Sequence, residues 1–263
     1  MFQHVRAQQP LIQKTGVIIK SPGEIDVMRR AGQVVARTVK ALMAAVRPGI
    51  STGELDALAE DMIRSDGAIP SFKGYRGFPG SICTSLNDQV VHGIPGKRIV
   101  QEGDILSLDV GAIVEGYHGD SAVTVGVGAI TREAQSLIDA ADGALAAAAA
   151  RTHAGARMGD LSWAAQEYAE GLGFSVVRQY VGHGIGRDLH EEPAVPNYGT
   201  PGRGMLLQTG MVLAIEPMVN AGTWRTRVLD DDWTVVTEDG GLSAHAEHTV
   251  AITENGPEIL TAR

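Results

Sequence analysis

EGDILSLDV at residues 102–110 and TGMVLAIEP at residues 209–217 are two copies of one pattern, an apolar strand that carries a single acidic residue, Asp109 in the first and Glu216 in the second. Burying a carboxylate in such a strand is costly unless it is paired or bound to a metal, so each copy marks a candidate site. The likeness extends outward. Gly49, Gly53, Glu54, Leu55, Ala59 and Gly67 each find a match or near-match 106 residues later, in Gly155, Gly159, Asp160, Leu161, Ala165 and Gly173. A two-copy repeat this long is no solenoid unit. It implies a duplicated α+β half-domain closed on itself.

Each copy opens with a predicted helix pair. In the first, Ser21-Pro22-Gly23-Glu24 supplies an N-cap, a proline at the first helical position and a glutamate at the third. Ile25, Met28, Ala31, Val35, Val39 and Leu42 then recur at helical spacing until Pro48-Gly49. A second helix runs from about Ser51 to Ser65, and residues 129–150 and 159–171 repeat the pair, the former ending in the run Ala146 to Ala150. Strands are predicted at Asp104–Val114, Tyr117–Val127, Ser175–Tyr180, Met211–Val219, Trp233–Thr237 and Ala244–Thr253. No linker rich in Pro, Ser or charge interrupts them. The expected organisation is a lead-in over residues 1–20 and one domain over 21–263, with halves of approximately 21–127 and 128–263. Its class is α+β, with helix pairs covering a curved, mostly antiparallel sheet.

Composition narrows the function. With 22 Lys+Arg against 31 Asp+Glu, the net charge of −9 lacks the basic surplus that neutralises phosphates, so no DNA partner is expected. The lone cysteine, Cys83, excludes an internal disulfide and a Cys-based zinc finger, which points to a cytoplasmic protein. The opening MFQHVRAQQPLIQKTG lacks the plan of a signal peptide, and no apolar run approaches the ~18 residues of a membrane span. Neither export nor a membrane partner is expected.

Asp109 and Asp120 are eleven residues apart. One straight strand would separate them by about 35 Å. A two-residue hairpin turn at Glu115-Gly116 instead sets Asp109 opposite residue 122, with Asp120 its diagonal neighbour at roughly 7–8 Å. The second copy contributes Glu216 and Glu247, also in strand-like apolar settings. If the four carboxylates converge, each pair within ~4 Å repels by about 4 kcal/mol at an effective dielectric of 20, and two divalent cations would offset that. His183, in Gly182-His183-Gly184-Ile185-Gly186, adds one imidazole on a backbone free of bulk. One nitrogen among four carboxylates favours Mn, Fe(II) or Co over the sulfur-rich sites of structural zinc.

With these residues in place, the chain resembles the type I methionine aminopeptidases of the pita-bread metallopeptidase superfamily. The resemblance spans roughly residues 20–261. It rests on GYRGFPGSICTSLNDQVVHGIP (74–95), GDILSLDV with GYHGDSA (103–122), GHGIGRDLHEEP (182–193), GMVLAIEPMVN (210–220) and DDWTVVTEDGGLSAHAEHTV (231–250). It implies that Asp109, Asp120, His183, Glu216 and Glu247 hold two divalent metal ions (Co, Mn, Fe(II) or Zn), with Asp120 and Glu247 bridging. The implied activity is removal of the N-terminal methionine from nascent polypeptides, preferentially when the second residue is small and uncharged, by dimetal-activated water attack on the first peptide bond. In that scheme Glu216 is the general base, His190 contacts the scissile carbonyl and His92 the nitrogen beyond the bond. Tyr75, Phe78, Cys83, His92 and Trp233 would line the pocket for the methionine side chain. The implied setting is a monomer in the cytoplasm acting on nascent chains at the ribosome.

Some positions depart from the pattern. Arg76 and Leu189 stand where many bacterial relatives have His and Phe, and His245 where Gln is frequent, on the strand face of Glu247. Strand alternation turns His248 to the opposite face, and His4, His118 and His153 fall outside matched positions and are expected at the surface. Two other readings compete. A proline-specific peptidase of the same fold usually carries a large N-terminal domain, for which the lead-in leaves no room. A catalytically dead peptide- or ribosome-binding module has no need of five ligands and two histidines.

Overall fold

The computed structural model describes residues 11–12, as backbone, and 16–263; His4 lies outside the described residues. The first helix, α1 (Pro22–Ala45), starts as the sequence predicts, with Ser21 and Glu24 forming a reciprocal capping box. Its buried stripe includes Ile25, Met28, Ala31, Val35, Val39 and Leu42. The second, α2 (Thr52–Ser65), has a capping box of its own between Ser51 and Glu54. In the other half α3 (Arg132–Ala150) begins later than residue 129, because the Thr131 side chain accepts from Ala134 N–H and so sets the cap. The fourth, α4 (Met158–Gly171), completes that pair. The lead-in contributes a small ladder, Leu11–Ile12 against Ile18–Ile19.

The predicted hairpin forms. Ile105–Val114 pairs with Tyr117–Gly126 in antiparallel register, Asp109 opposite Ala122 and Gly111 opposite Asp120. Glu115 and Gly116 make the turn with φ of 50° and 80°, the left-handed pair that matches strand twist in a two-residue loop. Ile82–Leu86, a strand the sequence reading did not identify, adds to the other edge and sets Cys83 opposite Asp109.

Two long predicted strands are each split. Met211–Val219 becomes Val212–Ile215, paired with His248–Thr253, and Met218–Asn220, paired with Ser243–His245. The breaks fall at Glu216-Pro217 and Ala246-Glu247. Pro217 has no N–H to donate to a ladder, and its carbonyl instead accepts from Ala246 N–H at 3.3 Å. Glu216 and Glu247 therefore sit where the ribbon changes partners. The hairpin closes this gap: Glu247 N–H donates to the Ala122 carbonyl at 3.0 Å, and Ser121 Oγ donates to the Glu247 carbonyl at 2.7 Å. Thr249 Oγ1 accepts from Asp120 N–H and donates to the Asp120 carbonyl.

Two other strands are shorter than the pattern predicts, Ser175–Val176 and Val235–Thr237. Ahead of the latter, Asp231 accepts from the N–H groups of Trp233 and Thr234, holding that segment as a turn. All pairings among the described strands are antiparallel. One buried cluster lies under α1 and α2 (Val35, Leu42, Leu55, Ile63, Leu106, Leu108) and another under α3 and α4 (Leu137, Leu145, Leu161, Leu213, Val250). A third cluster, between these two, contains Phe72, Phe78, Cys83 and Leu189.

Candidate metal centre and substrate pocket

Every site residue named from the sequence lines one cavity of about 310 Å³: Asp109, Asp120, His183, Glu216, Glu247, His92, His190, Tyr75, Phe78, Cys83 and Trp233. Phe72, Arg76 and Leu189 complete its wall. The site draws Asp109 and Asp120 from the hairpin, His183 from the strand Gly182–Gly184, and the two glutamates from the strand breaks. His183 is brought in by pairing with Ala214, two residues before Glu216. That pairing requires glycine beside it, since a Cβ on Gly182 would lie 2.3 Å from the Ala214 carbonyl oxygen.

Asp120, His183 and Glu247 offer ligand atoms that all lie within 4.8 Å of one another, and all three residues are buried. Asp109 Oδ1, Asp120 Oδ1 and Glu247 Oε1 are buried with no hydrogen-bond partner among the described residues. Such oxygens are costly unless a cation or a proton satisfies them. His183 is oriented for the same task. Its Nδ1–H donates to the Gly184 carbonyl at 2.9 Å, which leaves the Nε2 lone pair facing the cavity, 3.6 Å from Glu216 Oε1. The donor set of carboxylate oxygens and one imidazole fits hard or borderline divalent ions.

Electrostatics separate the four carboxylates. Burial pushes Asp109 up to about 7. Burial and neighbouring carboxylates push Asp120 and Glu247 well above the ordinary range. Burial acts on Glu216 in the same sense, but His245, His183 and His92 outweigh it and hold this carboxyl below its usual value. His245 is itself buried, with Nε2 3.5 Å from Glu216 Oε2. The Cys83 thiol is pushed well up by burial and by the facing Asp109, Asp120 and Glu247, so it presents a neutral wall.

On the substrate side, the Tyr75 hydroxyl lies 2.8 Å from His190 Nδ1, and the His190 and His183 rings stand 4.2 Å apart. Burial and the adjacent His183 lower His190 to about 4, and burial lowers His92. The edge of Phe78 meets Trp233 at 5.1 Å, with His92 6.2 Å from Trp233 and 5.9 Å from Tyr180. These rings form an aromatic corner against Cys83. Phe72 was not singled out from the sequence, because a lone apolar residue between turn residues has no periodicity to mark it.

The peripheral histidines sort differently from expectation. His153 is exposed as expected. His118 is not a surface residue: it is 8% exposed, its Nδ1 lies 2.9 Å from Ser71 Oγ, and burial lowers it to about 4. The reason is that Tyr117–Gly126 is covered on both faces for eight consecutive residues, so alternation along it does not separate inside from outside. His248 turns away from the cavity as expected, with Nδ1 2.8 Å from Thr261 Oγ1.

The profile of Metallopeptidase family M24 matches residues 26–254. The methionine aminopeptidase of Clostridium acetobutylicum is 55% identical over 246 residues, which cover 93% of this chain and 98% of that protein. The crystal structure of methionine aminopeptidase from Thermotoga maritima matches with a TM-score of 0.92 at 46% identity, covering 94% of this chain and 100% of that one. Prolidase from Pyrococcus furiosus has a TM-score of 0.77 at 24% identity, covering 93% of this chain and 65% of that one, a likeness of fold. The α+β architecture expected from the repeat, in the pita-bread form that the resemblance implies, is the one these neighbours share. Among the described residues no helix is long and apolar enough to cross a membrane.

Proposed function

The chain belongs to metallopeptidase family M24 and is a metal-dependent hydrolase that removes N-terminal methionine; from that premise we propose how its own residues perform the reaction. Asp109, Asp120, His183, Glu216 and Glu247 would hold two divalent cations (Co, Mn, Fe(II) or Zn). The observation that carries this reading is the set of buried, unpartnered oxygens on Asp109, Asp120 and Glu247 around the free Nε2 of His183. When bound, such ions acidify water, polarise a carbonyl and offset the clustered negative charge.

Glu216 is the general base. Its carboxylate differs from the other three in facing His245, His183 and His92, which hold it below its usual range; in that role it would accept a proton from the attacking water and pass it to the leaving amine. His190 serves the carbonyl oxygen. In that role the Tyr75 hydroxyl, 2.8 Å away, would donate to Nδ1, so that the neutral ring would carry its proton on Nε2 and offer it as a hydrogen bond to the developing oxyanion. His92 contacts the peptide nitrogen beyond the bond. The methionine side chain packs among Tyr75, Phe78, Cys83, His92 and Trp233, where each sulfur–aromatic contact contributes roughly 0.3–1.5 kcal/mol. Peptides whose second residue is small and uncharged are the preferred substrates, and nascent chains at the ribosome, met by a cytoplasmic monomer, are their source. Residues 21–263 act as one catalytic domain, supported by the bonds that join the hairpin of the first half to Glu247 and Thr249 of the second.

Incubating metal-free protein with Met-Ala-Ser and Ala-Pro-Ala, with and without Mn(II), Fe(II), Co(II) or Zn(II), tests the reading. Methionine release that requires metal supports it, and cleavage of the Xaa-Pro bond instead would replace it with a proline-specific activity. Asp109→Ala and Glu247→Ala are expected to abolish turnover by losing metal; full activity in either variant would overturn the ligand assignment.

A further inference from the structure

The cavity has a buried end and an exposed mouth, and they differ in charge. Of its lining residues only Arg76 and His190 are exposed, and Arg76 is the one Lys or Arg among them. Arg76 sits on a hydrogen-bonded turn. Its backbone is left-handed at φ 49°, between Gly74 at φ 85° and Gly77 at φ 91°. Backbone bonds from Gly74 N–H to Phe78 O and from Tyr75 N–H to Phe72 O lock the turn to the pocket wall. The guanidinium carbon lies 5.3 Å from the centre of the Tyr75 ring, the same tyrosine that bonds His190. None of the ion pairs among the described residues includes Arg76. Among the described residues it is a cation with no carboxylate partner, beside the other exposed residue of the pocket wall, His190.

We propose that Arg76 is a specificity residue that reads the substrate beyond its first two positions, selecting peptides with an acidic side chain at the third or fourth residue. The inference rests on the methionine-removing activity assigned above. With the N-terminal residue in the buried end and His190 at the scissile carbonyl, the remaining chain leaves past the exposed pair. An extended peptide advances about 3.3 Å per residue, and the Arg76 guanidinium stands one tyrosine ring away from His190, a span that the third and fourth residues of the substrate would cover. A carboxylate there meets a planar donor fork already ordered by stacking on Tyr75.

The test uses Mn(II)-loaded protein and C-terminally amidated tetrapeptides: Met-Ala-Ser-Ser as reference, with Asp or Lys placed at the third or the fourth position. Wild-type protein is expected to favour Asp over Lys by about two- to fivefold in kcat/KM, carried by KM, as befits one exposed charge pair. The preference shrinks in about 0.5 M NaCl. Comparing the Asp-to-Lys ratio within each variant cancels any general change in activity. The ratio approaches one in Arg76→Gln and inverts in Arg76→Glu, which no purely structural role of the turn would produce. Equal rates for Asp and Lys peptides in the wild type, or an unchanged ratio in Arg76→Glu, would overturn the role of Arg76 while leaving the activity intact. Failure of the wild type to release methionine from the reference peptide would overturn both.

Discussion

Asp109 and Asp120 stand on neighbouring strands of one hairpin, Asp109 opposite Ala122 and Asp120 opposite Gly111, so that both carboxylates reach the same buried cavity. Holding them there without a cation has a cost that depends on pH. Burial raises Asp109 to about 7, and Asp120 and Glu247 stand well above the ordinary carboxylate range. Carboxyls of an unfolded chain ionise near ~4. Between about pH 4 and 7 the metal-free folded protein therefore binds more protons than the unfolded chain, and its stability falls as pH rises through that window. A divalent cation replaces those protons. Thermal unfolding of chelator-treated protein, with and without Mn(II), is expected to show a larger metal-induced rise in Tm at pH 7.5 than at pH 5.5. An equal rise at both would contradict the protonation pattern.

His245 is 2% exposed and lies 3.5 Å from Glu216. Groups that orient a metal ligand typically contribute 10- to 100-fold in affinity. His245→Ala is expected to weaken Mn(II) binding by about that factor in a calorimetric titration, whereas His245→Gln, which keeps a donor, retains most of it. Unchanged affinity in the alanine variant would detach His245 from the site.

Lys20 and Glu191 form an ion pair at 2.5 Å with side chains 2% and 4% exposed. It ties the lead-in to the residue next to His190. Lys20→Met leaves Glu191 buried and uncompensated, a change that costs about 3–5 kcal/mol. Urea unfolding should register it, and the double variant Lys20→Met/Glu191→Gln should recover much of the loss. A single-variant loss below about 1 kcal/mol, the range of surface pairs, would mean that the pair is not desolvated in solution.

α1 crosses the hairpin at Gly119. A Cβ added there would lie 2.8 Å from Gly32 N and 3.0 Å from Ala31 C, atoms of the helix backbone that have no rotamer to yield. Gly119→Ala is expected to destabilise by about 1–3 kcal/mol through overpacking. Gly23→Ala, with nothing within 4 Å of the added Cβ, should be neutral or slightly stabilising. Equal stability of the two variants in denaturant titration would refute the close approach.

Much of the site was legible because it is written in local patterns. The lone acids in apolar strands, the glycines around His183 and the Glu115-Gly116 turn each carry their meaning within a few residues, and the turn sets the register that joins Asp109 to Asp120. The helices were legible for the same reason, since periodicity and the Ser21 cap are local signals, whereas the Thr131 cap moved the start of α3 from the expected residue 129. His118 was misplaced because exposure is not local: the strand beneath α1 is covered on both faces. Phe72 and the Lys20–Glu191 pair escaped notice because their partners lie far along the chain.

The duplicated α+β plan, the helix pairs and the hairpin that joins Asp109 to Asp120 follow from the sequence, because side-chain spacing and turn chemistry act over short stretches of chain; the family resemblance supplied the pocket residues, so that eleven of the fourteen residues lining the cavity were named as site residues. The points where the long strands break depend on tertiary pairing, since the ladder at Glu216-Pro217 and Ala246-Glu247 ends when the partner strand changes. Tertiary structure also set His245 against Glu216, and left Arg76 without a carboxylate at the mouth. These outcomes depend on which distant segments lie side by side, and burial, pairing and unpaired charge are properties of that arrangement rather than of any single stretch.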